Sequence, residues 1–508
     1  MKAILNFWMI LITLPGYSNS YFLSVNGNDL NKGNHWFVPF KTFDKAQMVL
    51  KPGDTLHIMK GDYYTSKPFQ LDLQHQGKEG QWIVYKNYLN HKPQIHSGTK
   101  GAISIQSSQY ISLEGLHFVI QDEIPGDGAD LKSAVIVGGS FASPSTNIKI
   151  YNCFFKNFNH SAIELSYFDF VTLGYNKFYK NAWSPQASAV IAASHAVETN
   201  DLNVYHFIIQ ANVFEQNGSS TPNQTALCNP LIHLNYKDAH LIQTSKHGIF
   251  YNNILYMNQG PAMVFESVSG VHIVHNTFYK NNLKEFCQQA NLELSNSVQC
   301  KVYNNIFYTC ASKAATRIFK SPSTLFSNNL YYNHSYREPG IHELVGNPEF
   351  ELINEITNEF NFKLQSNSPA INQGLDENLV DIDFEGNPRK FDLHTDIGAL
   401  EFRQRLMPSL KDIKAGPQTK KIKSNWSSLY LQDQKTYTLW NQADSSFLIK
   451  MYNPLGKMIL DDRTMLDAAS SFEFQFNKLP DGIYTVVAFN GTSRYLERVK
   501  VFGKRRQP

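Results

Sequence analysis

Seven times between residues 151 and 330 the chain writes nearly the same phrase, an Asn inside a short aromatic and β-branched run. The copies centre on Asn152, Asn176, Asn212, Asn252, Asn276, Asn304 and Asn328, each followed within two residues by Phe, Ile or Leu. Successive Asn positions are 24, 36, 40, 24, 28 and 24 residues apart, so one unit recurs with insertions in two of its turns. A period of this size marks a solenoid, whose units bury their apolar faces only against one another.

The content of each unit selects the kind of solenoid. Runs such as residues 204–209 and 271–274 are four to six residues of Val, Ile, Phe, Tyr and His. They are too short for amphipathic helices and have strand composition. Strands repeated in one direction stack as parallel ladders, each coil sealing the apolar face of the one before. The repeated Asn then has a mechanical role, since amides at the same turn of successive coils can bond to one another and satisfy the buried corner backbone.

The first stretch, residues 21–29, reads as a strand ending in a turn cluster, and residues 39–50 as a short amphipathic helix stopped by Lys51, Pro52, Gly53 and Asp54. Residues 55–59 form the next expected strand and Gly61 to Tyr64 a turn. A helix here caps the open end of a coil stack, which otherwise exposes strand edges and core. The Asn-Gly strand, the Pro39-Phe40-Lys41-Thr42 helix start, the Pro52-Gly53-Asp54-Thr55 turn and Gly61-Asp62-Tyr63 resemble, in order, the opening of right-handed parallel β-helix proteins of the pectate-lyase-like superfamily. Closing patterns at 368–372, 381–389 and 396–401 extend that resemblance over residues 21–402. It implies an all-β fold, a right-handed parallel β-helix with an N-terminal cap.

Composition shifts after residue 402. A Lys-rich stretch without apolar periodicity marks a linker at 403–427, and residues 428–508 alternate as short strands of a small β-sandwich. Tyr452-Asn453-Pro454-Leu455-Gly456, Leu479-Pro480-Asp481-Gly482-Ile483-Tyr484 and the basic tail Lys504-Arg505-Arg506 resemble the C-terminal sorting domain of type IX secretion, although the usual opening Pro-Asn-Pro is missing. That resemblance implies the type IX secretion machinery as a partner; an accessory sugar-binding sandwich is the alternative. At the other end, Lys2, an apolar stretch from Ile4 to Leu14 and Ser18-Asn19-Ser20 predict a signal peptide over residues 1–20. No later segment has the ~20 continuous apolar residues that span a bilayer. A secreted or outer-surface protein, acting as a monomer, is expected. A net charge of +3 over 508 residues gives no footprint for nucleic acid. The five cysteines cannot all pair within the chain; Cys287 with Cys300 is the expected pair, and Cys153 a small core residue on a repeat strand.

A β-helix offers side chains from adjacent coils along one face, which suits an extended extracellular polysaccharide. Elimination at a uronate needs a base near the C5 proton and a cation, such as calcium, to neutralise the carboxylate. Hydrolysis needs two carboxyls flanking the bond. Insertions in solenoids decorate the binding face, and the longest ones here carry His195, Glu198, Asp201, His233, Lys237, Asp238 and His240. Lys237 or His240 is the expected base, with Asp238 holding metal or orienting the base. His195, His233 and His272 are expected to contact substrate. Glu266, ending the run Gly260 to Phe265, is a second candidate for acid or calcium ligand. A related group of secreted β-helix proteins carries Gly-Arg-Gly-Ile-His-Val-Phe in that place, and this chain lacks its Arg and His. Asp381, Asp383 and Glu385 alternate like hard-ion ligands, but lie in the closing pattern, where a turn is expected. Paired Asp-Asp and Gly-His-Gly, the signatures of polygalacturonase-like hydrolases, are absent. Cleavage by a lyase is preferred, with a non-catalytic glycan-binding adhesin as the competing reading.

Overall fold

The structure, a computed structural model, describes residues 18–65, 69–71, 76–97, 101–120, 131–184, 186–197, 204–218, 228–236, 247–390 and 393–403, together with strands between 426 and 501. It divides into two compact units, residues 1–404 and 405–508. In the first unit, successive turns of chain each supply three strands. One turn runs Ile232–Asn235, Gly248–Tyr251 and Ile254–Tyr256, and the next Met263–Glu266, His272–Val274 and Thr277–Tyr279. First pairs with first, second with second and third with third, all in parallel. This is a parallel β-helix. Ile163–Gly174 bends through two of the three stacks, pairing with Ile191–Ala196 by its first half and Phe207–Gln210 by its second.

Inside the third stack, Phe118, Phe155, Phe178 and Phe214 pile up with ring centroids 5.1, 4.9 and 4.6 Å apart. Each ring is removed from water, which contributes about 2–3 kcal/mol apiece. The high aromatic content is thus largely interior at this stack.

The Asn phrases do mark one corner, between the second and third stacks, but in two different positions. Asn176, Asn212, Asn253, Asn276, Asn305 and Asn329 are buried and form the ladder. Asn212 shows the pattern: its Oδ1 accepts from Asn176 N at 2.9 Å and Asn176 Nδ2 at 3.0 Å, and its own Nδ2 donates to Leu173 O and Asn253 Oδ1. Where the phrase holds two Asn, the second carries the ladder. In the first phrase Cys153 takes that place, its N–H donating to Asn176 Oδ1 at 2.9 Å, so Cys153 is a corner residue rather than a strand residue. Asn152, Asn252, Asn304 and Asn328 sit one position earlier at φ of 53, 58, 58 and 50°, a left-handed conformation that Asn tolerates better than most residues. A second ladder, not anticipated, lies five residues on: Asn181, Asn217, Asn258 and Asn281 repeat the amide-to-amide contacts across the next corner.

The N-terminal helix is shorter than expected, Phe43–Gln47, with Thr42 Oγ1 accepting from Lys45 N. Residues before Thr42 are drawn into the first coil, where Phe40 is buried and bridged to Leu23. Gly61 to Tyr64 is not a turn: Asp62–Thr65 is a strand of the third stack, paired with Gln94–Ser97.

Residues beyond 346 fold back over the coils. Asn304 Nδ2 donates to Leu375 O at 2.9 Å and its Oδ1 accepts from Leu375 N at 2.7 Å; Asn328 Nδ2 donates to Gln373 O and Asn252 Nδ2 to Ile382 O. The first Asn of each doubled phrase therefore clamps this returning segment while the second holds the ladder. Buried Arg389 bonds both Asn252 Oδ1 and Glu401. Asp383 accepts from Asn387 N at 2.7 Å and Glu401 N at 3.1 Å, a turn, and Glu385 pairs with Lys363.

The disulfide joins Cys228 to Cys287, with Cα atoms 5.6 Å apart, rather than Cys287 to Cys300. Both bonded residues lie in segments that lead into strands of the first stack. Cys300 is instead a core residue just before Lys301–Tyr303, its thiol against Val298 O. The second unit holds two antiparallel sheets, one of Trp426–Leu431, Thr436–Asn441 and Ser471–Gln475, the other of Met458–Asp462, Leu448–Tyr452, Gly482–Phe489 and Arg494–Val501. Most of the expected signal peptide, nearly all of the expected linker, the expected Pro454 and Pro480 turns and the basic tail lie outside the described residues.

Candidate functional site

The first stack alternates inward apolar and outward side chains, and its register lines the outward ones up in two rows. One row holds Glu164, Ala192, His233, Val264, Glu293 and Arg317. The other, two residues further along each strand, holds Ser166, Ser194, Asn235, Glu266, Ser295 and Phe319. Rungs of a sheet are ~4.8 Å apart, so groups on neighbouring rungs can reach one ligand.

His233 and Glu266 are on neighbouring rungs and in different rows. Their Nε2 and Oε1 atoms are 3.9 Å apart, and each side chain is about one quarter exposed, at 24%. His195 sits at the end of this face, where the chain bends with φ of 51° toward the second stack. Its Nδ1 is 3.0 Å from Ser194 Oγ and its ring stacks on Tyr167, centroids 4.9 Å apart. His272 does not join them. It belongs to the second stack, in register with Ile249 and Lys301, and its Nδ1 is 2.6 Å from the Tyr205 hydroxyl. Lys237, Asp238 and His240, with Glu198 and Asp201, lie outside the described residues. They follow or precede this face in sequence; the nearest described neighbour, Tyr236, is buried and donates its N–H to Glu266 O at 3.0 Å.

A group that the sequence reading missed lies on the same face. Glu164 Oε1 is 2.6 Å from His160 Nδ1 and also accepts from the Ser133 hydroxyl, which in turn is 3.2 Å from His160 Nδ1. The bond to Glu164 holds His160 above its ordinary value, against the opposing effect of burial. Burial alone would raise Glu164; the bonds from His160 and Ser133 overcome it and hold the carboxyl low. The pair is an ion pair with the hydroxyl proton committed to the carboxylate, so Ser133 is not arranged as a nucleophile. Its signal was present: aligned with residues 231–235 and 262–266, residues 162–166 repeat the same apolar alternation and put Glu164 in the row of His233.

Among the described residues no group of three or more His, Cys, Asp or Glu is placed to hold a metal ion. The register neighbours of Glu266 are Asn235 and Ser295, well short of the ~6–8 oxygens that calcium takes. Asp238, the other expected metal ligand, lies outside the described residues.

No family model matches the chain. A 115-residue segment is 32% identical to the uncharacterized protein YwoF of Bacillus subtilis (strain 168), covering 21% of this chain and 23% of that protein. The match thus spans less than a quarter of the curated relative's length. Among solved structures, pectate lyase Pel9A is similar at a TM-score of 0.44 and 13% identity, over 76% of this chain and 97% of that one. A rhamnogalacturonan lyase is similar at 0.41 and 13%, over 69% and 97%. The GH136 lacto-N-biosidase of Eubacterium ramulus follows at 0.36 and 13%, over 65% and 67%.

Proposed function

We propose that the protein is exported and acts on an extracellular polysaccharide laid across the rungs of the first stack, cleaving a uronate-containing glycan by β-elimination. The observation that carries this reading is the His233–Glu266 pair on adjacent rungs of an outward face. In the reaction a base removes the proton on C5, next to the carboxylate, the C4–O bond breaks, and a C4=C5 double bond forms as the departing oxygen takes up a proton. His233 is suited to the first step. Glu266 lies on the Nε2 side of the ring, and contraction of the 3.9 Å gap on ligand binding makes Nε2–H a donor to the carboxylate and leaves Nδ1 basic. Lys237 and His240 are further candidates for the base, with Asp238 to orient it, and a cationic group must meet the uronate carboxylate.

The second reading is glycan binding without cleavage. It is favoured by Pro261 and Ala262 standing where the related secreted β-helix proteins have Arg and Gly, and by Val264 standing where they have His. Ultraviolet absorbance of unsaturated chain ends, followed over a panel of uronate polymers, separates the two. Elimination predicts absorbance growth with wild type and a fall of about 10²–10⁴-fold for His233→Ala, as loss of a general base entails, with polymer binding retained. Binding without any growth in absorbance leaves the adhesin reading in possession.

A further inference from the structure

We propose that Arg317 and Phe319 form a subsite for a carboxylate-bearing sugar unit, two rungs beyond Glu266. This rests on the reading of the first stack as a glycan-binding face and names the charge it reads.

Three observations combine. Arg317 and Phe319 are the outward residues of the strand Thr316–Phe319, one in each row, so they continue the rows that hold His233 and Glu266. Both are exposed, Phe319 at 58%. Their strand is held in place: Ile318 N donates to Glu338 Oε1 and Glu338 N to Thr316 Oγ1, each at 2.9 Å.

The guanidinium is oriented yet uncommitted. Its Nη1 donates to Gln288 O at 3.1 Å, in the loop carrying the disulfide, and among the described residues no carboxylate lies within ion-pair distance of it. Glu293 is its direct cross-rung neighbour, but the Glu293 carboxylate accepts from Ala290 N at 3.3 Å instead. An arginine with one edge anchored on a carbonyl keeps a planar fork for a bidentate carboxylate. Phe319 beside it offers an apolar ring surface of the kind on which the C–H face of a pyranose rests, and Lys320 Nζ, 5.3 Å from the ring centroid, adds positive charge. Two rungs correspond to ~10 Å along the stack, so a chain with one unit at His233–Glu266 brings a later unit over Phe319. At the other end of the row Glu164 is already paired with His160, and Arg317 is the one Lys or Arg among the residues of the two rows, so it is where a uronate carboxylate meets a fixed positive charge.

The test is binding by calorimetry of short oligogalacturonates and of the same oligomers after reduction of their carboxyl groups to neutral alcohols, using the full chain. Wild type is expected to prefer the acidic form. Arg317→Gln weakens acidic binding about tenfold and leaves the reduced form unchanged; Arg317→Lys, which keeps charge but not the fork, falls between. Phe319→Ala weakens both forms alike. Both positions are exposed, and an unchanged thermal midpoint confirms that each variant folds. If wild type prefers the acidic form and Arg317→Gln binds it equally well, the subsite is overturned while the glycan-binding face stands. If wild type binds neither form and no other uronate polymer, both fall together.

Discussion

The amide of Asn212 has all its hydrogen-bonding atoms engaged inside the corner, two bonds accepted from Asn176 and two donated to Leu173 O and Asn253. Asn152 carries the same letter in the same phrase, yet it is exposed and serves only to take φ of 53°. Asn212→Ala leaves a buried N–H and a buried carbonyl unmatched at ~1–3 kcal/mol each, so a loss of about 2–6 kcal/mol is expected. Asn152→Ala faces only the left-handed penalty of ~1–2 kcal/mol, and Asn152→Gly is expected to match or exceed wild type. Urea denaturation of the three variants checks this; equal losses at the two Asn positions would mean that the ladder carries no special weight. The phrase showed where the corner is because both requirements, a left-handed residue and a buried amide, select Asn. It could not show which requirement a given Asn meets, since that depends on a shift of one residue visible only through the neighbouring coil.

Along the first stack, His160 and Glu164 make the element most sensitive to pH. His160, held above its ordinary value, contributes fully below its unfolded value of about 6.5 and loses the contribution as pH rises through the higher folded value. Glu164, held low, contributes fully above about 4.5 and loses it as pH falls through the lower folded value. The pair therefore stabilises most between about pH 4.5 and 6.5. The difference in thermal midpoint between wild type and Glu164→Gln is expected to peak in that window and shrink on either side. A difference that is flat with pH removes the ion pair as its cause. The strands of this stack were legible wherever apolar and polar residues alternate, as at Ile232-His233-Leu234-Asn235. The contacts across the rows were not, because His160 reaches Glu164 from a turn while His233 and Glu266, 33 residues apart in sequence, meet only through the register of neighbouring rungs. His272 shows the same limit: it lies six residues after Glu266 in sequence, but the intervening bend sends it to the second stack.

At the level of the first compact unit, the β-helix is covered by its own returning residues, 346–390 and 393–403. Phe350, Phe362, Leu364 and Ile397 form one core with Ile254, Tyr279, Ile306 and Leu330, the outer residues of the third stack. Removing the returning segment uncovers those four side chains, at ~1.5–3 kcal/mol for each one fully buried, and breaks the bonds that Asn252, Asn304 and Asn328 make to it. That sum is comparable to the total stability of an ordinary domain, ~5–15 kcal/mol. Two truncations separate the roles. A chain ending at Gln404 is expected to keep the main thermal transition of the β-helix, because the described coils and their cover are all retained. A chain ending at Val345 is expected to aggregate or lose its cooperative transition, with the third stack exposed as an unprotected apolar sheet. Scanning calorimetry with light scattering distinguishes them, and a cooperative, soluble 1–345 fragment would show that the coils are stable without the segment that returns over them.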